Sequence, residues 1–439
     1  MEDSLQFIES FFNELNNNEI EYCILRNADE VERGDAHDID MTVRADKLAQ
    51  TESIILKIAS KLGWRLHYKT GSSKDDMNIK NYHVSKILTD SIKIVHIDIF
   101  PTFSWQGYIL LDNKTLLENI IKDTIYHKAN PSVEAVTKLF IRLLHNGYIK
   151  TKYKKYVQTI FDTNGEETRS CLLNFLDSPT AEFIMSSVHL GEWEKIEKFR
   201  NQIVDVIKKN SRKDIIKQKK YLFNKMIHKA GLMVAFEGTD GSGKSTIIEG
   251  LSNALENSFP GGMFDYYHWR PGVIKKEKKA IDGNKIEVTE PHAKKPYGRI
   301  KSFAKFMFFN IDYVVGYWTK VRWQISKGHL VIFDRYYYDY YLDKLRYRLT
   351  ISDKTLDFFR LFIPKTDITF LLVGDAQILY ERKKEISVEE IQKQVERLMK
   401  NRDKFRNSVV IDVNQSINKV VFEASSAILY TCAQKLGNK

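Results

Sequence analysis

The second half of the chain alternates short strand-like runs with longer segments of helical periodicity. Runs that are apolar over four to six residues are typical of parallel strands buried on both faces of a sheet. These runs occupy residues 233–236, 264–268, 330–333, 368–373 and 409–413. The pattern predicts an α/β domain built on a five-stranded, doubly wound parallel sheet.

The first part of the chain has a different pattern, in which strand-like runs are separated by polar turns. Residues 22–25 and 39–43 have the composition of strands, and the loop 27–36 lies between them. A third strand is predicted at 92–100, and residues 46–62 carry apolar side chains at helical spacing. The segment is therefore predicted to be an α+β domain.

Helical periodicity dominates from Pro131 to about residue 210, and proline is favoured in the first turn of a helix. Residues 201–229 are densely basic, with an apolar residue every three or four positions, as in a solvated connecting helix. We predict four parts: an α+β domain at 1–130, a helical annex at 131–210, a basic linker helix at 211–230, and an α/β domain at 231–439.

The composition indicates a folded protein of the reducing cytoplasm. Hydrophobic residues make up 43% of the 439 residues and aromatic residues 12%, which is near the globular average. Cys23, Cys171 and Cys432 are far apart and form no C-x-x-C pair, so neither a disulfide framework nor a thiolate metal site is expected. The first residues are acidic where a signal peptide would be basic, so no export signal is expected there. Polar residues interrupt the apolar stretch 303–318, so no transmembrane helix is predicted.

The formal net charge of +11 is compatible with nucleic acid, an anionic membrane surface or phosphorylated small molecules as partners. Basic residues are concentrated at 195–229 and 275–305, and neither segment carries a recognisable nucleic-acid-binding motif. The sequence favours small-molecule nucleotide and acceptor substrates over nucleic acid. It leaves peripheral membrane contact and a homodimer open.

A glycine-rich loop follows the strand at 233–236 and precedes the helical run 247–255. It fits G-x-x-x-x-G-K-S/T, a pattern whose backbone N–H groups cradle phosphates. Lys244 is expected to reach the β and γ oxygens of ATP, and Ser245 to hold Mg²⁺. The predicted ATP-binding residues are Gly238, Thr239, Asp240, Gly241, Ser242, Gly243, Lys244, Ser245 and Thr246.

Asp334 and Arg335 stand where the strand at 330–333 ends, which is the ligand-bearing edge of a parallel sheet. A carboxylate there can organise Mg²⁺, and a guanidinium can clamp phosphoryl oxygens in a bidentate way. The alternative is an ordinary surface ion pair. We predict that both residues belong to the phosphate site and that Asp334 is a second Mg²⁺ ligand.

The phosphate loop, R-P-G at 270–272 and D-R-Y at 334–336 together resemble the thymidylate kinase family, over about residues 231–439. By that resemblance Asp240 lies beside the acceptor and the metal, Arg270 orients the acceptor phosphate, and Arg335 bridges the two phosphates. The resemblance also places Arg382 and the two lysines after it in a closing lid, and the alternative for that basic run is a solvated helix face. The expected catalytic residues are Lys244, Asp334, Arg335, Arg270 and Arg382. The implied activity is ATP-dependent phosphorylation of dTMP or another nucleoside monophosphate.

The chain departs from that family after residue 336, where tyrosines replace the serine and polar residues that read thymine. Five tyrosines between 336 and 341 either stack a ring or a sugar, or belong to the core. An insertion at 275–301 and an aromatic run at 303–323 lie where the acceptor pocket would be built. Such kinase-like domains also resemble proteins encoded among bacterial surface-polysaccharide genes, which raises a sugar or glycan acceptor as an alternative.

Three aspartates of the first domain form a second candidate site. Asp38 and Asp40 share one face of a strand, and Asp98 can join them from a neighbouring strand, an arrangement that suits Mg²⁺. Residues 7–156 resemble nucleotidyltransferase-like families of the DNA polymerase β superfold, although the usual glycine-serine pair is absent. The alternative is that the aspartates are ordinary strand and turn residues or relics of a site.

Three functions therefore compete: a kinase, a bifunctional kinase and nucleotidyltransferase, and a nucleotide sensor without turnover. Retention of Lys244, Asp334 and Arg335 favours the kinase, with ATP as the phosphoryl donor and Mg²⁺ as the cofactor.

Overall fold

The computed structural model describes residues 2–34, 36, 38–71, 79–211, 213, 230–259, 264–274 and 295–437. The chain forms two compact units, one up to about residue 224 and the other from about residue 225. Most of the predicted linker helix at 211–230 and most of the insertion at 275–301 lie outside the described residues.

The first unit contains a five-stranded mixed sheet. Its order is β1-β2-β5-β4-β3, in which β2 and β5 are parallel and the other neighbours antiparallel. The strands of this sheet are β1 Tyr22–Ile24, β2 Asp38–Val43, β3 Arg65–Gly71, β4 Lys80–Ile87 and β5 Ile92–Ile99. A hairpin of β6 Phe103–Trp105 and β7 Tyr108–Leu111 follows. The three strands predicted from sequence are present, and β3 and β4 are additional.

Two amphipathic helices supply much of this unit's core. Helix α1 buries five apolar side chains at helical spacing, and α3 buries Ile54, Ile55 and Ile58 against the same cluster. Burial of such faces is the main stabilising contribution in a mixed sheet of this size. The helices of this part are α1 Glu2–Asn17, α2 Ala28–Glu32, α3 Leu48–Lys61 and α4 Asn113–Leu117, with a short 3₁₀ turn Ala45–Lys47 before α3.

Six helices follow in the same unit, as the periodicity of 131–210 predicts. The side chain of Asn130 caps the first of them by accepting a hydrogen bond of 2.8 Å from the Ser132 N–H, and Pro131 occupies its first turn. These helices share a core cluster with the β6–β7 hairpin. They are α5 Pro131–Asn146, α6 Thr151–Thr163, α7 Gly165–Leu173, α8 Ser178–His189, α9 Trp193–Lys198 and α10 Arg200–Asn210.

The second unit is built on a five-stranded sheet in the order β12-β11-β8-β10-β9, with every neighbouring pair parallel. The strands are β8 Leu232–Gly238, β9 Phe264–His268, β10 Leu330–Asp334, β11 Ile368–Val373 and β12 Ser408–Asp412. The sequence-based prediction of this sheet is confirmed, with strand bounds that differ by at most two residues. The central strand β8 is buried along its whole length.

Helices lie between these strands and after the last of them. They are α11 Lys244–Ala254, α12 Arg299–Gly316, α13 Arg322–Ser326, α14 Asp339–Leu342, α15 Asp353–Arg360, α16 Ala376–Arg382, α17 Val388–Lys400 and α18 Ile417–Lys435. A π-helical turn, Tyr317–Val321, joins α12 to α13, and a 3₁₀ turn, Arg402–Lys404, precedes β12. None of the helices in the described ranges is long and apolar enough to cross a membrane.

Candidate functional site

The phosphate loop runs from the end of β8 to the first turn of α11. Gly241 and Gly243 have φ angles of 83° and 77°, a region that residues with a Cβ atom rarely adopt. A Cβ atom at Gly241 would also overlap the carbonyl oxygen of Leu379 in α16. The loop conformation therefore requires glycine at position 241 for two independent reasons.

Lys244 is the first residue of α11, and its ammonium group lies inside the loop. Nζ donates hydrogen bonds to the carbonyl oxygens of Gly238 (2.9 Å) and Thr239 (2.8 Å) and to Oγ of Ser242 (3.2 Å). Burial, and next the charge of Arg335, lower the pKa of Lys244 to about 8, although nearby carboxylates act in the opposite direction. The ammonium is thus held inside the loop by two carbonyl oxygens and one hydroxyl oxygen.

Asp334 ends β10 and is nearly fully buried. Its Oδ2 accepts a hydrogen bond of 3.1 Å from the Tyr266 hydroxyl and lies 3.7 Å from Nδ1 of His268. Burial raises its pKa, but the His268 contact and the charges of Lys244 and Arg335 outweigh burial and lower the pKa to about 2. The carboxylate is therefore ionised at neutral pH.

The other oxygen of Asp334, Oδ1, is buried and has no hydrogen-bond partner among the residues that the structure describes. A buried, ionised carboxylate oxygen without a hydrogen-bond partner lowers the stability of the fold unless a cation or water binds it. Ser245 lines the same cavity, and hydroxyl and carboxylate oxygens are ligands that Mg²⁺ prefers. These two residues fit the metal role predicted for them.

Arg335 has a left-handed backbone, with a φ angle of 70°. Its guanidinium donates from Nη1 to Oδ1 of Asp339 (2.8 Å) and to the Gly238 carbonyl (3.2 Å), and from Nη2 to Oδ1 of Asp240 (2.7 Å). A left-handed non-glycine residue costs on the order of 1 kcal/mol and often marks a functional position. Arg335 thereby joins the phosphate loop to the segment that follows β10.

Two residues of this network carry no motif in the sequence. Arg346 donates from Nη2 to Oδ2 of Asp240, and the Tyr347 hydroxyl donates to Oδ2 of the fully buried Asp339. Burial raises the pKa of Asp240, but the charges of Arg335 and Arg346 outweigh it and hold that pKa well below its usual range. Asp339 stands four positions after Arg335, but Arg335 precedes the helix that begins at Asp339, so helical spacing does not predict their contact.

These groups open into a cavity of about 710 Å³. The cavity is lined by Asp240, Gly241, Gly243, Lys244, Ser245, Thr246, His268, Trp269, Asp334, Arg335, Arg346, Tyr347, Arg382, Lys383 and Glu385. The predicted lid residue Arg382 is therefore at the cavity, and its Nη1 donates to the Val413 carbonyl at 3.0 Å.

A second cavity, of about 210 Å³, shares Gly243, Thr246 and Arg382 with the larger one. It extends from the phosphate loop toward Val413, Gln415, Ile417 and Val420, at and after the end of β12.

Arg270 is not among the residues that line either of these cavities. Its Nη1 donates to Oδ2 of Asp312 at 2.7 Å, and Asp312 is fully buried in α12. Asp312 also accepts hydrogen bonds of 2.9–3.0 Å from the backbone N–H groups of Gly272, Val273 and Ile274. The structure thus places Arg270 in a buried ion pair that fixes the loop after β9, because a buried aspartate requires such partners.

The tyrosines between 336 and 341 belong to the core. All five are buried, and three of their hydroxyls are used internally: Tyr336 donates to the Pro364 carbonyl (2.7 Å) and Tyr337 to the Leu356 carbonyl (2.8 Å). Tyr341 donates to Oδ1 of Asp357 at 2.8 Å. Of the two interpretations of this stretch, core packing is the correct one.

Two other aromatic side chains, outside the tyrosine-rich stretch, line the cavity. Trp269 and Tyr347 stack with ring centroids 4.4 Å apart and planes 22° apart. They lie far apart in the sequence, and no local pattern predicts that they meet.

In the first unit, the structure places Asp40 and Asp98 directly opposite each other on the parallel strands β2 and β5. Asp40 Oδ1 receives a 2.7 Å contact from Nη2 of Arg26, and Asp98 Oδ1 accepts a 2.6 Å hydrogen bond from the Asn81 side chain. Burial and the neighbouring Asp40 carboxylate raise the pKa of Asp98 to about 7.

Asp38 lies at the exposed start of β2, where it contacts Nδ1 of His96. Across the described ranges, no three histidine, cysteine, aspartate or glutamate side chains are grouped as a metal site requires. The metal site predicted at Asp38, Asp40 and Asp98 stays a prediction.

A five-stranded parallel sheet with a G-x-x-x-x-G-K-S loop between its central strand and the next helix is the arrangement of P-loop phosphotransferase domains. No family model matches the chain. A thymidylate kinase from Mycoplasma mobile is 33% identical over 105 residues, which are 24% of this chain and 46% of that protein. The chain therefore spans about half the length of that relative, and part of it is similar to thymidylate kinases.

Among solved structures, the thymidylate kinase from Ehrlichia chaffeensis aligns with 45% of this chain and 97% of its own, with 19% sequence identity and a TM-score of 0.30.

Proposed function

We propose that the second unit catalyses Mg²⁺-dependent transfer of the γ-phosphoryl group of ATP to a small acceptor. One observation carries this proposal: Lys244, the ionised Asp334 and Arg335 converge with the amino-terminal end of α11 on one cavity. That combination supplies the positive charge and the metal-binding oxygen that phosphoryl transfer requires. The partial similarity to a thymidylate kinase supports a nucleotide kinase.

In this proposal the loop amides and Lys244 bind the β and γ phosphates of ATP. Ser245 and Asp334 would hold Mg²⁺, which would neutralise charge on those phosphates. An acceptor oxygen forms a bond to the γ phosphorus while the bond from that phosphorus to the β–γ bridging oxygen breaks, and ADP leaves. Arg335 stabilises the charge on the transferring group.

The smaller cavity beside Arg382 is the proposed position of the adenine ring. It is contiguous with the phosphate loop, and Ile417 and Val420 give it apolar walls.

The first acceptor to test is dTMP. A sugar or surface-glycan acceptor is the second candidate, and the stacked Trp269 and Tyr347 favour it, because an aromatic wall supplies shape and stacking without reading a particular base.

The decisive experiment is an acceptor screen with labelled ATP and purified protein. The panel contains nucleoside monophosphates, free sugars and glycan fragments, and Lys244→Ala serves as the control. Label transfer that requires Lys244 supports the proposal. ATP binding without transfer to any acceptor would instead support the sensor.

A nucleotidyltransferase activity of the first unit is a separate proposal, supported by the facing carboxylates of Asp40 and Asp98. A fragment ending near residue 210 is expected to bind a nucleoside triphosphate with Mg²⁺, and Asp38→Asn with Asp40→Asn to abolish that binding. If calorimetry detects no Mg²⁺-dependent binding of the nucleoside triphosphate by the parent fragment, the activity is refuted and the unit is a scaffold.

A further inference from the structure

Glu237 is a fully buried carboxyl group with no role yet in the proposed reaction. It belongs to the central strand β8 and directly precedes the phosphate loop. Its Oε1 accepts a hydrogen bond of 2.9 Å from the backbone N–H of Tyr336, a residue far away in the sequence. Its Oε2 is buried and has no hydrogen-bond partner among the residues that the structure describes. Burial of such a group lowers stability, and groups of this kind are concentrated at functional sites.

Tyr336 lies just beyond the point where two neighbouring strands stop pairing. Strand β10 ends at Asp334, whose register partner on β8 is Phe236. The Arg335 N–H still donates to the Phe236 carbonyl, at 3.0 Å. The next N–H, that of Tyr336, donates to the side chain of Glu237 instead. Glu237 therefore supplies the acceptor that the backbone of a longer strand would supply.

Arg335 lies between these two anchored N–H groups, its own and that of Tyr336. Its φ angle of 70° is a left-handed conformation that residues other than glycine adopt only when their surroundings impose it. With this backbone, its guanidinium reaches Asp240 and the Gly238 carbonyl. We propose that Glu237 is a positioning residue, whose hydrogen bond to the Tyr336 N–H holds Arg335 in the conformation that reaches the phosphate cavity. The inference rests on the proposed kinase function, in which Arg335 stabilises the transferring group.

The charge state of Glu237 is compatible with this role. Burial, and next the charge of Asp339, raise the pKa of Glu237 well above its usual range, although Arg335, the Tyr336 N–H and Lys244 act in the opposite direction. A neutral carboxyl group keeps an acceptor oxygen for the N–H and adds no negative charge beside the ATP phosphates. Glutamine has the same shape, the same neutral charge and the same acceptor oxygen, so Glu237→Gln is the conservative variant.

The test compares Glu237→Met with Glu237→Gln in the full-length protein, by transfer from labelled ATP to nucleoside monophosphates, free sugars and glycan fragments. Methionine fills the space of glutamate but leaves the N–H of the buried Tyr336 without a good acceptor. We expect Glu237→Met to lower kcat by about tenfold or more while KM for ATP stays within about threefold of wild type. Glu237→Gln should recover most of the loss.

A double-mutant cycle tests whether Glu237 acts through Arg335. Arg335→Ala alone should lower kcat strongly, and Glu237→Met added to it should lower kcat by less than about twofold further. A merely structural role of Glu237 would instead give losses that multiply, because damage to the fold does not require the Arg335 side chain.

Asp367→Ala is the matched control, at the opposite end of the same strand. The Asp367 carboxylate accepts a hydrogen bond of 2.8 Å from the backbone N–H of Met233, and Asp367 lines neither cavity of this unit. This variant also removes a side-chain acceptor from a backbone N–H of β8. It should lower Tm yet leave kcat within about twofold of wild type.

Hydrogen exchange gives a readout that does not depend on catalysis. The Tyr336 amide should exchange slowly in wild type, at least about tenfold faster in Glu237→Met, and slowly again in Glu237→Gln. Mass spectrometry of peptides that cover residues 334–338 measures it.

Four results would overturn the inference: kcat of Glu237→Met within about twofold of wild type, no recovery in Glu237→Gln, multiplying losses in the double mutant, or Tyr336 exchange that is the same in wild type and Glu237→Met. Failure of the kinase proposal looks different. Wild type would then transfer label to no acceptor, and the exchange of Tyr336 alone would decide whether Glu237 holds the Arg335 backbone.

Discussion

Replacing Lys244 with methionine should change how stability depends on pH. In the folded loop the ammonium has exchanged water for three oxygen acceptors, and burial lowers its pKa from the usual 10.5 to about 8. At about 1.4 kcal/mol per pKa unit, holding the protonated side chain in the fold costs about 3 kcal/mol.

The sign of this pH dependence follows from whether the folded or the unfolded state binds more protons. Between pH 8 and 10.5 the unfolded chain keeps the Lys244 proton while the folded protein has lost it, so a rise in pH favours the folded state. The free-energy cost of holding the protonated Lys244 side chain in the fold is fully present below pH 8 and is gone above pH 10.5. Wild type should therefore gain about 2 to 3 kcal/mol relative to Lys244→Met between pH 7 and pH 10.

The assay is urea unfolding of both full-length proteins at several pH values, with the difference between them as the readout. Titrating groups that do not interact with Lys244 are common to both proteins and cancel in that difference. Lys354→Met, at an exposed position of α15, is the control and should follow wild type. A difference between wild type and Lys244→Met that stays constant from pH 7 to pH 10 would refute the buried-ammonium interpretation.

Four further results are expected. Lys244→Ala should fold, as a thermal melt would show, yet lose at least about 3 kcal/mol of transition-state stabilisation in single-turnover kinetics. Asp334→Asn and Arg335→Ala should each lower kcat more than they weaken ATP binding; loss confined to ATP affinity would contradict their roles. Gly241→Ala should lower both Tm and ATP affinity, since the left-handed φ angle and the clash with α16 cost about 1–3 kcal/mol or more, and unchanged melting would refute the packing argument. Turnover of dTMP should be weak relative to the true acceptor, and efficient, selective use of dTMP over dUMP would restore the plain thymidylate kinase interpretation.

The sequence predicts the second unit well because the signals for its strands and its phosphate loop lie in contiguous stretches of the chain. Buried parallel strands leave apolar runs in the sequence, and the phosphate loop is contiguous from residue 238 to 246. Strands β3 and β4 of the first unit were not predicted, since polar and charged residues interrupt both (R-L-H-Y-K-T-G and K-N-Y-H-V-S-K-I).

The candidate site is less predictable because partners distant in sequence decide it. Arg270 carries a family motif, but Asp312, more than forty residues away, engages it in the folded protein. Arg346 and Tyr347 carry no motif and reach the cavity through the segment that follows α14. The tyrosines after Arg335 have the composition of a binding surface, yet in the folded protein their rings are buried in the core.

The contact between Gly241 and the Leu379 carbonyl ties the phosphate loop to α16, the helix that ends at Arg382, the residue predicted to belong to a lid. Because the two backbones touch without an intervening side chain, the loop cannot shift without displacing the helix. Amide hydrogens of α16 should therefore gain protection from exchange when ATP binds to the loop, in step with those of the loop itself. Occupancy of the nucleotide site would in this way be transmitted mechanically to Arg382, Lys383 and Glu385, which also line the cavity.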